Sequence, residues 1–317
     1  METMAALELS VSLFVPPHNP ATQLLELAAA ELQNQSQGRL RLRIYSSEQL
    51  GSTPDQFDLA RSGRADLAYL MHGATPGLFP LTELATLPFV VRDPVSGTAA
   101  LMAVKTPYLD HEHPDVKLLF VAANAPMAIH SVKPVCCLDD FKGMRIRHAG
   151  QAVAATLAAL GAEPINVMPL RVKEALTSGQ IDAAAMTYEG AYVTKLTDAA
   201  PYVFELNANT VTFALVMNRA RYEALDAKSR KLLEEVLGAS AGHRLALRLS
   251  QSGLQGQRHV QNSGAIVTQP SGSEHAILAR LVEPVVESAL RDLSSKGKPG
   301  RQVYDALVAR GPETLPE

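Results

Sequence analysis

Regular alternation of apolar strands with amphipathic helices is the feature of this chain that most constrains its fold. The first segments predict strands at residues 7–14, 40–45 and 66–71, with helices at 20–32 and 53–62 between them. Parallel strands cannot be joined by a tight turn and need a long crossover, usually a helix. The chain therefore opens with a βαβαβ unit, which is typical of a parallel sheet covered by helices.

A second alternating series begins after residue 121. It predicts strands at 127–131, 144–147, 164–168 and 181–187, and helices at 138–141, 151–160 and 170–179. A strand at 210–217 then precedes a helical region at about 226–262, which is too long for one small lobe and better suited to bracing two. Because 317 residues exceed one ordinary core, we predict two α/β lobes.

Composition argues against two classes of function. The formal net charge is -3, and the short basic cluster at 296–301 is rich in Gly and Pro, so the chain lacks the basic footprint of a nucleic-acid-binding protein. No apolar run approaches the roughly 18 residues of a membrane span.

The first residues lack the basic segment followed by an apolar segment that is typical of an export signal. We expect either a cytosolic protein or an exported protein whose signal has been removed.

The strand at residues 144–147 carries the clearest candidate for ligand binding. Alternation places Met144 and Ile146 on one face and Arg145 and Arg147 on the other, and Gly150 then breaks the strand. Arg147 thus lies near the carboxyl end of the strand, the edge at which open α/β sheets bind ligands. Its planar guanidinium matches a carboxylate in a bidentate pair. The alternative is that both arginines lie on a solvated face, which is the usual place for Arg.

Motifs of catalysis and metal binding are absent from the sequence. We find no nucleophile elbow, no phosphate-binding P-loop, no zinc-protease motif and no dinucleotide-type glycine fingerprint. His111, Glu112 and His113 lie close together, but no third ligand follows at a recognisable spacing, so we interpret them as a solvated turn. We predict a protein without cofactor, without metal and without catalytic activity.

Several segments, taken in order, are similar to one protein family. They are Leu50-Gly51 after a strand, Leu87-Pro88-Phe89, Phe141-Lys142-Gly143-Met144-Arg145-Ile146-Arg147, and the segment from Val172 to Ala183. In this order and spacing the chain resembles the substrate-binding proteins of tripartite ATP-independent periplasmic (TRAP) transporters, the DctP family. The likeness covers roughly residues 7–218, followed by the long helix.

The resemblance implies a two-lobe fold of the periplasmic-binding-protein type, with crossing hinge strands and a long helix bracing both lobes. It implies a periplasmic protein that closes over a small organic acid and delivers it to membrane permease subunits, without inserting into the membrane itself. Arg147 stands where the family has its carboxylate-binding arginine. The resemblance therefore favours ligand binding over solvent exposure for this side chain.

Three positions depart from the family pattern. Met127 stands where sialic-acid-binding members have a second arginine, and Met186 stands where many members have Asn. Ala183 replaces a glycine and is expected to alter only a local turn. These changes predict a less polar pocket, suited to an aromatic or hydroxy monocarboxylate.

The remaining candidates follow from their places at strand ends and loops beside the expected cleft. We prefer Tyr188, which offers a phenolic donor, over Glu189, because an unpaired acid would repel an anionic ligand. His72, His148 and His18 could donate hydrogen bonds to an anion. The predicted binding set is Arg147, Met127, Met186, Tyr188, Phe213, His72, His148, His18 and Thr212.

Two other functions stay open at this point: a ligand-sensing protein of the same fold, and a cytosolic enzyme on a two-lobe scaffold. The predicted first lobe comprises residues 1–125 and about 213–250. The predicted second lobe comprises about 126–212 and about 251–317.

Overall fold

The computed structural model describes residues 6–309 as two β-sheets with helices packed around them. Within this range the strands are β1 (Leu7–Leu13), β2 (Leu40–Tyr45), β3 (Leu67–Met71), β4 (Val116–Ala123), β5 (Ala128–Ser131), β6 (Arg145–His148), β7 (Glu163–Asn166), β8 (Ala183–Met186), β9 (Tyr202–Phe204), β10 (Thr212–Asn218) and β11 (Ile266–Thr268). The α-helices are α1 (Pro20–Gln35), α2 (Gln56–Arg61), α3 (Pro94–Lys105), α4 (Gln151–Ala159), α5 (Val172–Thr177), α6 (Tyr188–Val193), α7 (Arg219–Glu223), α8 (Ala227–Leu237), α9 (Ala239–Asn262), α10 (Gly272–Ser295) and α11 (Gly300–Ala309).

The first sheet has the strand order β2-β1-β3-β10-β4. Strands β1, β2 and β3 pair in parallel, so the predicted βαβαβ unit is confirmed. Strand β10 returns from the second lobe and lies antiparallel between β3 and β4. This arrangement brings the ends of β1, β3 and β4 to the edge of the sheet that faces the second lobe.

The second sheet has the order β11-β9-β5-β8-β6-β7. Strand β6 lies parallel between β7 and β8, and Arg147 is aligned with Ile165 on one side and Ala184 on the other. Strand β5 is antiparallel to β8 and β9. The arginine therefore sits near the carboxyl end of an interior strand, as the sequence predicts.

Two of the segments that cross between the lobes lie side by side, one from β4 to β5 and one from β9 to β10. They pair with each other: the amide of Asn124 donates to the carbonyl of Val211, and that of Met127 donates to the carbonyl of Asn209. The hydroxyl of Thr210 also donates to the Asn124 carbonyl at 2.7 Å. The two crossings form one short ribbon, so the lobes share a hinge of paired backbone.

The predicted long helix is two helices, α8 and α9, separated at Gly238. A Cβ at Gly238 would lie 2.3 Å from the Glu234 carbonyl oxygen, so the chain turns there at a position that only glycine fills. Helix α9 does brace both lobes. Its Leu245 belongs to the apolar core that includes the first sheet, and its Val260 packs against Val203 of the second.

The carboxyl-terminal helices cross back to the first lobe, which differs from the predicted division of the chain. Leu278 and Val282 of α10 pack into the core that both sheets share. Leu293 near the end of α10 and Leu307 of α11 pack with side chains of the first lobe. Among the residues that the structure describes, no helix has both the length and the apolar character needed to cross a membrane.

The segment at 111–113 is only partly the solvated turn that we expected, because His111 is exposed whereas Glu112 and His113 are buried. The carboxylate of Glu112 is buried and accepts hydrogen bonds from the amides of Leu81 and Thr82, at 2.6 and 3.0 Å. The ring of His113 is fully buried and stacks on Phe79, with the ring centroids 4.4 Å apart. Both side chains hold the fold together, because each anchors a loop of the first lobe.

Candidate functional site

A cavity lies between the two sheets, where strands of both lobes end. Its walls include Phe14 after β1, Met71 at the end of β3, Arg147 in β6, Met186 at the end of β8 and Phe213 in β10. The cavity has a volume of about 80 Å³, which is several times the roughly 10–15 Å³ that one water molecule needs. The cavity can therefore hold a compact organic molecule. This is the position at which two-lobe α/β proteins bind ligands.

Aromatic side chains form the first-lobe wall of the cavity. Phe14 and Phe213 line it, and both stack on Tyr69 of β3, with ring centroids 5.7 and 5.3 Å away. The register of β3 and β10 puts Tyr69 and Phe213 on one face of the sheet, and Phe14 joins them directly after the end of the neighbouring β1. Stacked rings make a rigid apolar surface with little conformational freedom to lose when a ligand packs against it.

Arg147 is the one cationic side chain on the cavity wall, and it is only 3% exposed. Its Nε donates to the carbonyl of Val167 at 3.0 Å and its Nη1 donates to that of Ala185 at 2.9 Å. No carboxylate of residues 6–309 pairs with it, and burial alone lowers the pKa of Arg147 to about 10. A guanidinium with a pKa of 10 is still charged at neutral pH, so the cavity holds a buried cation that lacks an anion.

Arg145, two residues earlier on the same strand face, is in a different state. Its Nε and Nη2 donate to the two carboxylate oxygens of Asp182, each at 3.1 Å, and 40% of its side chain is exposed. Arg145 is therefore partly exposed to solvent and paired with a carboxylate of the fold. Arg147 differs, because among the described residues its guanidinium donates to neutral backbone carbonyls only.

Glu189 lies on the same cavity wall and is 5% exposed. Its Oε1 accepts from the amide nitrogen of Asn19 at 2.9 Å, and its Oε2 accepts from that of Asn124 at 3.0 Å. Burial raises the pKa of Glu189, while the two amide donors act in the opposite direction. Asn19 and Asn124 belong to the first lobe and Glu189 to the second, so these hydrogen bonds also cross between the lobes.

Four of the nine predicted binding residues line the cavity. They are Arg147, Met127, Met186 and Phe213. All four lie at or beside strand ends on the facing edges of the two sheets. Met127 and Met186 make the wall around Arg147 apolar at two of the three positions where the sequence departs from the family pattern.

The other five predicted residues lie elsewhere in the structure. His72 is fully buried behind the wall, where its Nδ1 lies 3.0 Å from the hydroxyl of Thr212. The Nδ1 of His148 is 3.1 Å from the Gly150 carbonyl. Burial lowers the pKa of His72 to about 3, so this ring is neutral at pH 7 and does not offer a charge to an anion.

Tyr188 and His18 also point away from the cavity. The hydroxyl of Tyr188 donates to the Glu205 carboxylate at 2.8 Å, beside a separate surface groove. His18 lines an outer groove, where its Nε2 lies 3.2 Å from the Val193 carbonyl. The predicted preference for Tyr188 over Glu189 is wrong. Helix α6 directs the side chain of Glu189 into the cavity and that of Tyr188 away from it.

The polar side chains that sequence reasoning missed are Asn19, Asn124 and Glu189. Asn19 has a local role as the cap of α1, where its Oδ1 accepts from the Ala21 amide. Asn124 likewise accepts from the Ala125 amide through its own Oδ1. An acid directly after a strand end was the one available signal, and it was set aside because of its charge. Its amide partners lie 65 and 170 residues away in the sequence.

Comparison with known proteins identifies the family of the fold. The model of the bacterial extracellular solute-binding proteins, family 7 (DctP), matches residues 11–292. The outer membrane transporter protein TsaT of Comamonas testosteroni is 24% identical over 313 residues, which are 93% of this chain and 88% of that protein.

Two solved structures have the same architecture over nearly the whole chain. A TRAP solute-binding protein from Rhodoferax ferrireducens T118, in complex with copurified benzoate, is 24% identical with a TM-score of 0.91, covering 96% of this chain and 97% of that one. A TRAP periplasmic solute-binding protein from Bordetella bronchiseptica, with bound (R)- and (S)-mandelate, is 23% identical with a TM-score of 0.89, covering 96% and 98%. The predicted two-lobe α/β fold is confirmed by these likenesses.

Proposed function

This chain belongs to the DctP family of bacterial extracellular solute-binding proteins, and we propose that it captures a small organic acid between its lobes and delivers it to a TRAP transporter. The ligand is released unchanged, since the cavity serves binding and not catalysis. The protein acts in the periplasm, and its partners are the membrane permease subunits. The likeness to solute-binding proteins of TRAP transporters supports this assignment.

The observation that carries the proposal is the buried guanidinium of Arg147. A charge taken out of water without a counter-ion costs several kcal/mol, and among residues 6–309 only two carbonyl oxygens offset this cost. A ligand carboxylate in the cavity would complete the pair. We infer that the arginine is held ready for an anion that the described part of the chain does not provide.

The size and chemistry of the ligand follow from the rest of the wall. Phe14 and Phe213 on one side and Met127 and Met186 on the other favour a flat apolar body. Micromolar affinity corresponds to about 8 kcal/mol. Hydrogen bonds to a charged group contribute roughly 1.5–3 kcal/mol each, so burial of the apolar body must supply much of the remainder. An aromatic monocarboxylate such as benzoate or mandelate combines both contributions.

A thermal-shift screen tests the assignment. Benzoate, mandelate and pyroglutamate are compared with benzamide, which has the shape of benzoate without its charge. A binding acid at 100 times its Kd stabilises the protein by about 2.7 kcal/mol, which raises the melting temperature by several degrees. We expect stabilisation by at least one aromatic acid and none by benzamide. Equal shifts with benzoate and benzamide would contradict the role of the charge.

A further inference from the structure

Besides Arg147, the cavity wall carries polar side chains that are unsuited to holding a carboxylate. Glu189, Asn19 and Asn124 form a polar cluster on a wall that is otherwise mainly apolar, apart from Arg147. A carboxylate of the ligand would be repelled by Glu189 and attracted by Arg147, so it must lie at the arginine. The polar cluster then faces another part of the same ligand.

We propose that Glu189 accepts a hydrogen bond from a ligand hydroxyl, so that the preferred ligand is a hydroxy-substituted aromatic acid. This inference rests on the proposed function, since it assumes a carboxylate at Arg147. It assigns the specificity between plain and hydroxylated acids to one side chain.

The hydrogen-bond directions within the polar cluster are determined by the backbone. The Oδ1 of Asn19 accepts from the Ala21 amide, and the Oδ1 of Asn124 accepts from the Ala125 amide, so both NH2 groups must point toward Glu189. Each carboxylate oxygen has about two acceptor sites. One bond to each oxygen therefore leaves acceptor capacity, and Glu189 lines the open cavity where a ligand group can reach it.

A hydroxyl suits this cluster better than an ammonium group does. Among the described residues, the Nδ2 of Asn19 donates only to Glu189, so the second of its two hydrogens is free. A hydroxyl can donate to the carboxylate and accept this hydrogen at the same time, whereas an ammonium has three donors and no acceptor. The cluster offers one acceptor group and a donor, which matches the two functions of a hydroxyl.

Burial of the polar cluster makes it selective for ligands that carry a hydroxyl. Glu189 is 5% exposed, Asn19 7% and Asn124 1%, so a ligand lacking the hydroxyl leaves a polar cluster dehydrated against an apolar ring. A site built to bond a hydroxyl rejects the analogue without it far more strongly than an apolar site rejects an added hydroxyl. We therefore expect discrimination of at least tenfold.

Calorimetric titration of benzoate, 3-hydroxybenzoate, 4-hydroxybenzoate and the corresponding methoxybenzoates tests the proposal on the full chain. We expect one hydroxybenzoate to bind at least tenfold more tightly than benzoate, and its methoxy analogue, which lacks the donor, to lose that advantage. In Glu189→Gln, where the charge is gone and the shape is kept, the ratio of the benzoate Kd to the hydroxybenzoate Kd should shrink, because a neutral amide oxygen is a weaker acceptor than a carboxylate.

A second variant guards against loss of folding or of lobe closure. Glu189→Met removes every acceptor and is checked by its ligand-free melting temperature and by its benzoate affinity. If Glu189→Met keeps the tenfold hydroxyl advantage, or if native protein binds benzoate and the hydroxybenzoates equally, the role of Glu189 is refuted and carboxylate binding at Arg147 is unaffected. If the native protein binds none of the acids, the proposed function fails first and this inference fails with it.

Discussion

Arg145 and Arg147 lie two residues apart on one face of strand β6, yet only Arg145 has a carboxylate partner, Asp182. The two side chains share residue type, strand and direction, and they differ in position along the strand. Arg147 is nearer the carboxyl end and reaches the cavity between the lobes. The pair is therefore an internal control for every statement about ligand binding.

The cost of keeping Arg147 buried predicts an unusual stability result. Arg147→Met keeps most of the side-chain volume and removes a dehydrated charge without an anionic partner, although two carbonyls lose a donor. Replacing a buried ion pair as a whole by apolar side chains is often neutral or stabilising, because no unpaired charge is left behind, and among residues 6–309 Arg147 has no carboxylate partner that its replacement would leave unpaired. We expect the free energy of unfolding of the ligand-free variant to be the same as that of the native protein or higher by up to about 1 kcal/mol.

Urea denaturation without ligand measures this difference. Arg145→Met is the matched control, because it breaks the ion pair with Asp182 and leaves that carboxylate with Lys133 as its remaining cationic partner; it should destabilise slightly. A loss of more than about 3 kcal/mol in Arg147→Met, the cost of breaking a satisfied buried network, would show that the arginine is structural.

Close packing between α9 and the second lobe predicts a contrast between two glycines of one helix. A Cβ at Gly256 would lie 2.2 Å from the Tyr188 carbonyl oxygen, while a Cβ at Gly253 would meet nothing within 4 Å. Gly256→Ala must push α9 away from α6 and should destabilise by about 1–3 kcal/mol or more. Gly253→Ala should be neutral or stabilising by up to about 1 kcal/mol, because alanine favours the helix.

Thermal or urea unfolding of both alanine variants checks the contrast. Equal stability of the two would mean that α9 is not seated against α6 as described. Because α6 carries Glu189, we also expect Gly256→Ala to weaken ligand binding, whereas Gly253→Ala should not.

Three fully buried histidines predict loss of stability in acid. Burial lowers the pKa of His72 to about 3, and of His113 and His130 to about 4. Since the unfolded chain takes up these protons near pH 6.5, the stabilisation from the neutral rings is complete above that pH. It is lost progressively as the pH falls from 6.5 toward 4.

The free energy of unfolding should therefore fall between pH 7 and pH 5, with each ring contributing roughly 1–2 kcal/mol. In His130→Leu that decline should be smaller by one ring's share, whatever the variant's stability at pH 7. His275→Asn, at an exposed position of α10, should leave the decline unchanged. An identical pH dependence in native protein and His130→Leu would contradict the account.

Local patterns were enough to predict most of the fold. Strands β1, β2 and β3, helix α1 and strand β6 follow from apolar periodicity and capping, which depend on neighbouring residues. Arg147 was found because its strand position is also local. Strand β4 and helices α3, α10 and α11 were not predicted, nor were the short strands β9 and β11, whose three residues each carry too little pattern.

Long-range contacts account for what could not be predicted. The polar cluster joins Glu189 to Asn19 and Asn124 across the hinge, and no local pattern links these positions. His72 and His113 resemble polar loop residues in the sequence, but the fold buries both beside Phe79. The sequence gives no sign that the side-chain amides of Asn19 and Asn124 hold the Glu189 carboxylate. Its negative charge alone therefore argues, wrongly, against a place in the cavity.

Calorimetric titration of the acid with the largest thermal shift, into native protein, Arg147→Ala and Arg145→Ala, tests the central claim most directly. Removing one partner of a buried charge pair costs about 2–5 kcal/mol. The account predicts a Kd at least about 30-fold higher in Arg147→Ala and changed less than threefold in Arg145→Ala. Binding that survives in Arg147→Ala, or that weakens equally in both variants, would contradict it.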